Sequence, residues 1–359
     1  MQLWGVMWRG GITNVAVPYG CTLWCTCAYR VDGGQAMTKL FVSNHSLENL
    51  ASCETKHMLS WKRYQPKDAA PALECGRHIH NALQAWRTGT SEEQALSRLA
   101  SEYRDYSVAN VPPDNARDWR NVVNILQEYM RRRPLASAPW DEVLAVEVGY
   151  AAPLVTTNDG TEVWYYTRPD MVVRRDGRIY TVDTKSTGWI KPDWANQWDV
   201  SPQITGQCWA VSKCFGEPCA DAFIDGIELG KMNSSNKKCA KHGVAYHECA
   251  AEHLNFKFHM THREPFQVRS WQEESCVLIG QMRGMHASVA QYGMRSARVN
   301  GIYTGACVAY GRKCDYAPWC DTGRQEGLEE QLFEASTFQL AEAGVVYGPG
   351  MEPVEVPVR

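Results

Sequence analysis

Pro169-Asp170, then twelve residues, then Asp183-Thr184-Lys185 put two carboxylates and an amine within one short stretch of chain. The residues between them read as a β-hairpin. Met171-Val172-Val173 continues a first strand led in by Tyr165-Tyr166, Asp176-Gly177 is a turn pair, and Ile179-Tyr180-Thr181-Val182 returns. Such a hairpin sets Asp170 near Asp183. Residues two apart on a strand share a face, so Asp183 and Lys185 point the same way. Two convergent carboxylates suit a hard divalent cation, and an ammonium beside them can hold or activate an attacking water. That is the chemistry of metal-dependent phosphodiester hydrolysis. The competing reading is a D-x-K on a solvated strand edge. The apolar run Ile179–Val182 argues instead that Asp183 ends a buried strand.

Other residues are spaced to join this pair. The pattern predicts a helix over Ala69 to Trp86, with Ala72, Leu73, Gly76, Ile79, Leu83 and Trp86 recurring at helical spacing. His80 follows Gly76 by four and shares its face, where a small residue lets a helix approach a sheet. The His80 imidazole is therefore a candidate to complete the site, with His78, on another face, as its competitor. Gln203 opens a helix predicted over Pro202 to Phe215, with Pro in the first turn. Its amide suits orientation of a phosphate or a water, and Gln207 follows one turn later. Glu147, in a strand predicted from Val143 to Tyr150, is a weaker candidate acid.

The remaining elements frame these. Ser43 to Tyr64 reads as one helix, Ser91 opens another with Gln94 completing a capping box, and Asn115 to Arg133 is a third. Arg131-Arg132-Arg133 suits the dipole at that helix end better than a DNA contact. Trp189, Trp194 and Trp198 lie in a polar connection and read equally as core or as a platform for unpaired bases. Ala220 to Leu229 and Phe256 to His262 read as strands, and Trp271 to Tyr292 as a long helix. Residues 1–36, with Cys21, Cys25 and Cys27 close together, look like an extension of uncertain order. The main domain spans 37–344, and the Pro- and Gly-rich residues 345–359 read as a mobile tail.

At 359 residues the chain allows one large domain with insertions or two domains, and 44% apolar content is ample for a core. A formal charge of −3 means that nucleic acid would have to be held by local basic patches and metal. No apolar run is long enough to span a membrane, and no secretory signal stands out in Met1–Tyr19, so the expected location is the cytoplasm. Without a secretion signal, fourteen cysteines point to metal ligation rather than a disulfide framework.

The order Cys53, Gly76-Arg77-His78-Ile79-His80, Pro169-Asp170, Asp183-Thr184-Lys185, Gln203, then Cys307, Cys314 and Cys320 resembles the PD-(D/E)XK nucleases of the RecB type. The likeness is to their AddB-like iron–sulfur branch, which includes many phage exonucleases, and it spans residues 40–322. It implies an α/β, restriction-endonuclease-like core, a central mixed β-sheet flanked by helices, with helical and Cys-rich additions. It implies Mg²⁺ or Mn²⁺ held by His80, Asp170, Asp183 and the Thr184 carbonyl, with Lys185 acting on the water and Gln203 on the substrate. The family pattern places Tyr where this chain has Gln207, which leaves the ring contact without a counterpart. The resemblance also implies a 4Fe–4S cluster on Cys53, Cys307, Cys314 and Cys320, the last three in a segment over 307–320. Six residues separate Cys307 from Cys314, more than is usual in the branch, and five separate Cys314 from Cys320.

A second metal candidate stands on spacing alone. Cys239-x-x-His242 and Cys249-x-x-x-His253, in an insertion over 230–255, offer the two-Cys, two-His set that Zn²⁺ accepts. His247 is a spare, and Lys237, Lys238 and Lys241 flank the set. The competing reading is a mobile polar loop. Together these features point to a metal-dependent DNA exonuclease. The resemblance sets it in phage or mobile-element recombination, repair or replication (in a bacterial cytoplasm if phage-encoded), acting on single strands or duplex ends with a helicase or recombination partner. A non-catalytic DNA- or partner-binding module and a site-specific endonuclease remain open as alternatives.

Overall fold

The structure, a computed structural model, describes residues 39–67, 70–112, 115–230, 238–309, 312–335 and 346–354, and the backbone alone at 246 and 247. The extension over 1–36, the spare His247 side chain and Lys237 lie outside the described groups. The chain starts with β1 (Lys39–Ser43), α1 (Asn44–Ser52), α2 (Glu54–Trp61) and β2 (Tyr64–Pro66). The single helix expected over 43–64 is thus interrupted. Cys53 is extended, at φ −167° and ψ 121°, and the N–H of Glu54 that starts α2 donates to Asn300 Oδ1. A contact from far along the chain ends one helix and begins the next.

Three helices follow, α3 (Pro71–Arg87), α4 (Glu92–Asn110) and α5 (Trp119–Arg132). Ser91 accepts the N–H of Gln94 as its position predicts, and Asp118 caps α5 four residues later than the periodicity alone places its start. These helices share a core of Ile79, Leu83, Leu99, Ile125 and Leu126, closed by Ile227 and Leu229.

Strands β3 (Glu142–Val146), β4 (Gly149–Thr156), β5 (Glu162–Thr167), β6 (Met171–Arg175) and β7 (Arg178–Thr187) come next, then α6 (Asn196–Asp199), α7 (Pro202–Phe215) and β8 (Asp221–Glu228). The chain continues through α8 (Tyr246–Cys249), β9 (Phe256–His262), α9 (Pro265–Tyr292), α10 (Gly301–Thr304), β10 (Val308–Ala309), β11 (Arg312–Lys313), α11 (Ala317–Asp321), α12 (Glu329–Leu332), β12 (Phe333–Ala335) and β13 (Val346–Tyr347). The central sheet has the order β3-β6-β7-β8-β9, with β7 and β8 parallel and the other pairs antiparallel. A second sheet has the order β1-β5-β4-β13. The architecture is the expected α/β one, a mixed sheet flanked by helices.

Helix α7 packs against strands of both sheets and against α9. It is buried nearly all round, with Ile204, Cys208, Trp209, Ala210, Val211 and Cys214 among the buried residues, as a helix between two layers must be. Gly206 is where it meets the second sheet. A Cβ there would lie 2.1 Å from the Tyr165 hydroxyl oxygen, so only glycine fits. Of the tail expected over 345–359, residues 345 and 355–359 lie outside the described residues, and the described part, 346–354, is held to a sheet rather than mobile. Val346 and Tyr347 pair in parallel with Gly149 and Tyr150, and Val354 N–H donates back to Val346 O. Burying Val346 beside Phe41 and Tyr166 holds residues 346–354 to the sheet.

Candidate active site

Asp176 and Gly177, at φ 49° and 73°, make the tight hairpin turn between β6 and β7. The register runs from Arg175 opposite Arg178 to Met171 opposite Val182. One more step along both strands sets Asp170 across from Asp183. The Asp170 Oδ2 atom accepts the N–H of Thr184 at 2.5 Å, which locks the carboxylate to the return strand.

The strand expected over 143–150 is in fact two strands meeting at Glu147, which has a φ of 54°. A non-glycine residue holds that conformation at some cost. Here the Glu147 N–H donates to Asp170 O at 3.0 Å, so the kink is pinned beside the hairpin. From α3, His80 Nδ1 reaches 3.1 Å from Asp170 Oδ1 and 3.9 Å from Glu147 Oε1. One ligand atom each from His80, Glu147 and Asp170 falls within a 4.8 Å group. Glu147 thus joins the site more closely than its weak sequence signal suggested. His78 points elsewhere, against Glu74, Glu102 and the Tyr103 ring. Gly76 leaves room to spare, since an added Cβ would stand 3.7 Å from Ser186 Oγ.

Lys185 Nζ lies 2.7 Å from Asp183 Oδ2 and donates to Gln203 Oε1 at 3.1 Å. Asp183 Oδ1 accepts from both Gln203 Nε2, at 3.2 Å, and Gln207 Nε2, at 3.0 Å. Asp183 is therefore gripped by α7 and the lysine, while Asp170 faces the imidazole. The two clusters still feel each other. The Asp170 charge and Asp183 both act on His80 to raise its pKa, and Asp183 and Asp170 hold the half-buried Lys185 protonated against desolvation.

Burial pushes the Asp170 carboxyl up, but His80, Arg87 and the Thr184 N–H outweigh it and hold the group below the usual carboxylate range. Burial, and then the neighbouring Asp170 charge, push Glu147 up to about 7, although Arg168 lies 3.3 Å away. Two carboxylates whose repulsion is left incompletely balanced are what a divalent cation would relieve, and the oxygen and imidazole donors suit Mg²⁺ or Mn²⁺.

Arg87 is the site residue that the sequence pattern did not single out. Arg87, nearly fully buried, donates to Thr184 Oγ1 at 2.9 Å and approaches Asp225 Oδ2 to 3.9 Å. It follows His80 by seven residues, two helical turns, so the helical face was a signal for it. The Trp198 ring lies 5.6 Å from Lys185 Nζ, a cation–π distance. Trp194 is buried against Gly226, where a Cβ would come within 2.7 Å of its ring, whereas Trp189 is 62% exposed. The core reading therefore holds for Trp194. Arg132 and Arg133 do not cap their own helix alone. They reach across to the backbone oxygens of Ala251, Leu254 and Phe256.

Cys53, Cys307, Cys314 and Cys320 gather where the α1–α2 break meets the C-terminal segment. All four are free thiols. A Cβ on Gly301 would lie 3.1 Å from Cys307 Sγ and 3.4 Å from Cys53 Cβ, and Cys314 N–H donates to Cys307 O. Burial and then Cys53, Cys314 and Cys307 push the Cys320 thiol up to about 11, so the four groups lie within electrostatic reach of one another. Cys239, His242, Cys249 and His253 also converge, with ligand atoms within a 4.8 Å group, and Lys238 and Lys241 stand exposed beside them.

No described helix is long and apolar enough to cross a membrane. The family profile described as "PD-(D/E)XK nuclease superfamily" matches residues 42–321. No curated protein matches the chain. A solved structure titled "Crystal structure of SSO0001" is similar at 10% identity over 66% of this chain and 84% of that one, with a TM-score of 0.27.

Proposed function

The chain belongs to the PD-(D/E)XK nuclease superfamily, and from that premise we propose that it is a metal-dependent DNA exonuclease of the RecB- and AddB-like iron–sulfur branch. The observation that carries the reading is the convergence of His80, Glu147 and Asp170 beside the Lys185–Asp183–Gln203 group. His80, Asp170 and Glu147 would hold Mg²⁺ or Mn²⁺, with Asp183 and the Thr184 carbonyl completing the set. When bound, such a cation polarises a scissile phosphate and makes water a better nucleophile. Lys185 Nζ orients the attacking water and offsets charge that develops on the phosphate oxygens. Gln203 spans Lys185 and Asp183, so it fixes the ammonium against the carboxylate and presents its amide edge to substrate. Arg87 steadies Thr184 from beneath.

The four clustered thiols support an iron–sulfur cluster, since four cysteines are the usual complement of a cubane. Held by Cys53 and by the 307–320 segment, it would tie the two ends of the nuclease core. End-directed cutting of single strands or duplex ends, in phage or mobile-element recombination, repair or replication and alongside a helicase or recombinase, is the finer reading drawn from that branch. The test is a cleavage assay on linear and circular DNA, single- and double-stranded, with and without Mg²⁺ or Mn²⁺. Degradation of linear DNA with circular DNA spared supports the reading. Cutting of circles at discrete positions makes the chain an endonuclease, and binding without cleavage makes it a non-catalytic module.

A further inference from the structure

The described part of the insertion between β8 and β9, residues 238–255, has few apolar side chains with which to fold itself. Apart from alanines and cysteines, its described apolar side chains over 238–255 are Val244, which is 39% exposed, and Leu254. A segment with so small a core needs a covalent or metal staple to keep one conformation. The backbone nevertheless forms a closed knuckle. Cys239 N–H donates to Val244 O at 2.6 Å, Gly243 N–H donates to Cys239 O at 2.8 Å, and Lys238 bridges Ala245. Gly243, at φ 71°, supplies the left-handed turn.

Four side chains converge at the knuckle. His253 Nε2 lies 3.2 Å from Cys239 Sγ and 3.5 Å from Cys249 Sγ, and His242 Nδ1 lies 3.6 Å from Cys239 Sγ. Cys239 and Cys249 are both buried. The far nitrogen of His242, Nε2, stands 3.3 Å from Glu252 Oε2. A carboxylate on the outer nitrogen is how a zinc-ligating histidine is commonly oriented, and the donor set is that of a closed tetrahedral site.

We propose that Cys239, His242, Cys249 and His253 bind one structural Zn²⁺ that fastens this insertion, with Glu252 orienting His242. The fastened segment presents the Ala251 and Leu254 carbonyls to Arg132 and holds Asn255 on Glu228. Glu228 Oε2 also accepts the N–H of Ile190, the start of the tryptophan-bearing connection that leads to α7. The zinc site is separate from both the carboxylate site and the Cys53 cluster and stands whether or not the chain cleaves DNA.

The experiment is metal analysis of the full-length protein purified anaerobically without chelator. Zinc at about one per chain is expected, falling at least several-fold in Cys249→Ser and His253→Gln while iron is retained. In Cys320→Ser the zinc should stay. Should the variants fail to fold, the unaltered protein stripped of zinc and titrated with Co²⁺ gives the second readout. An intense visible spectrum with thiolate charge-transfer bands is expected of tetrahedral two-sulfur, two-nitrogen ligation. Absence of zinc together with a pale six-coordinate Co²⁺ spectrum, zinc that survives in both variants, or a Cys239–Cys249 disulfide found on peptide mapping would each overturn the proposal.

Discussion

Gln207 Nε2 donates to Asp183 Oδ1 across 3.0 Å, from one turn beyond Gln203, which donates to the same oxygen. The position that the family pattern fills with Tyr is thus occupied here by a second amide clamp on the acid. With Oδ1 doubly held, Oδ2 is turned toward Lys185. Gln207→Leu leaves Asp183 with one amide donor. Losing a hydrogen bond to a buried charge costs about 1–3 kcal/mol, so a lower melting temperature and roughly tenfold slower cleavage are expected. Calorimetry and a single-turnover assay check both.

Lys185→Met should slow cleavage by about 10²–10⁴-fold, the usual worth of a group that acts on the proton or charge of the transition state. Binding of DNA should change little when measured with Ca²⁺ in place of Mg²⁺. A variant that still cuts at the parental rate would remove Lys185 from the mechanism.

Glu147→Gln removes one carboxylate from the group that includes His80 and Asp170. The folded protein should gain or keep stability, because a like charge beside Asp170 is gone, while its affinity for Mn²⁺ drops. Isothermal titration with Mn²⁺ reads the second effect and thermal melts the first.

The tryptophans separate by burial. Trp194→Ala opens a cavity against Gly226 and Trp198 and should cost about 3–5 kcal/mol of stability, read as an early denaturation midpoint. Trp189→Ala should leave the midpoint in place and weaken single-strand binding by about tenfold, the worth of one stacked base. Fluorescence anisotropy with an oligonucleotide distinguishes them.

Glu128 gives a pH signature. Hydrogen bonds from Arg131 and then Arg132 lower its carboxyl from 4.5 to about 2 in the folded protein. A depressed folded value contributes stability that is present above about pH 4.5 and lost as pH falls toward about 2. The gap in stability between the parental protein and Glu128→Gln should therefore be largest at neutral pH and shrink through that window. Denaturant curves at several acid pH values follow it.

Local pattern made much of this legible. The turn pair Asp176-Gly177 and the strand runs on either side set the hairpin, and Pro202 to Phe215 is a helix over the whole predicted span. Asp170, Asp183, Lys185 and Gln203 could be nominated because strand and helix periodicities carry them. What escaped depends on partners far along the chain. Cys53 breaks a helix because Asn300 receives the next N–H, and Glu147 kinks where Asp170 holds its backbone. Val346 is held by β4, across some two hundred residues that no local pattern spans. Gly206 and Gly226, unlike Gly76, are among the glycines that close approach requires, and only the opposing Tyr165 and Trp194 rings reveal it.

Glu228 accepts from Ile190 on one side and Asn255 on the other through the same oxygen. The tryptophan-bearing loop and the cysteine–histidine appendage therefore share a single hinge pin. Neither can be exchanged as a cassette in an engineered chimera without loosening the other, so grafts should carry both segments together with the end of β8.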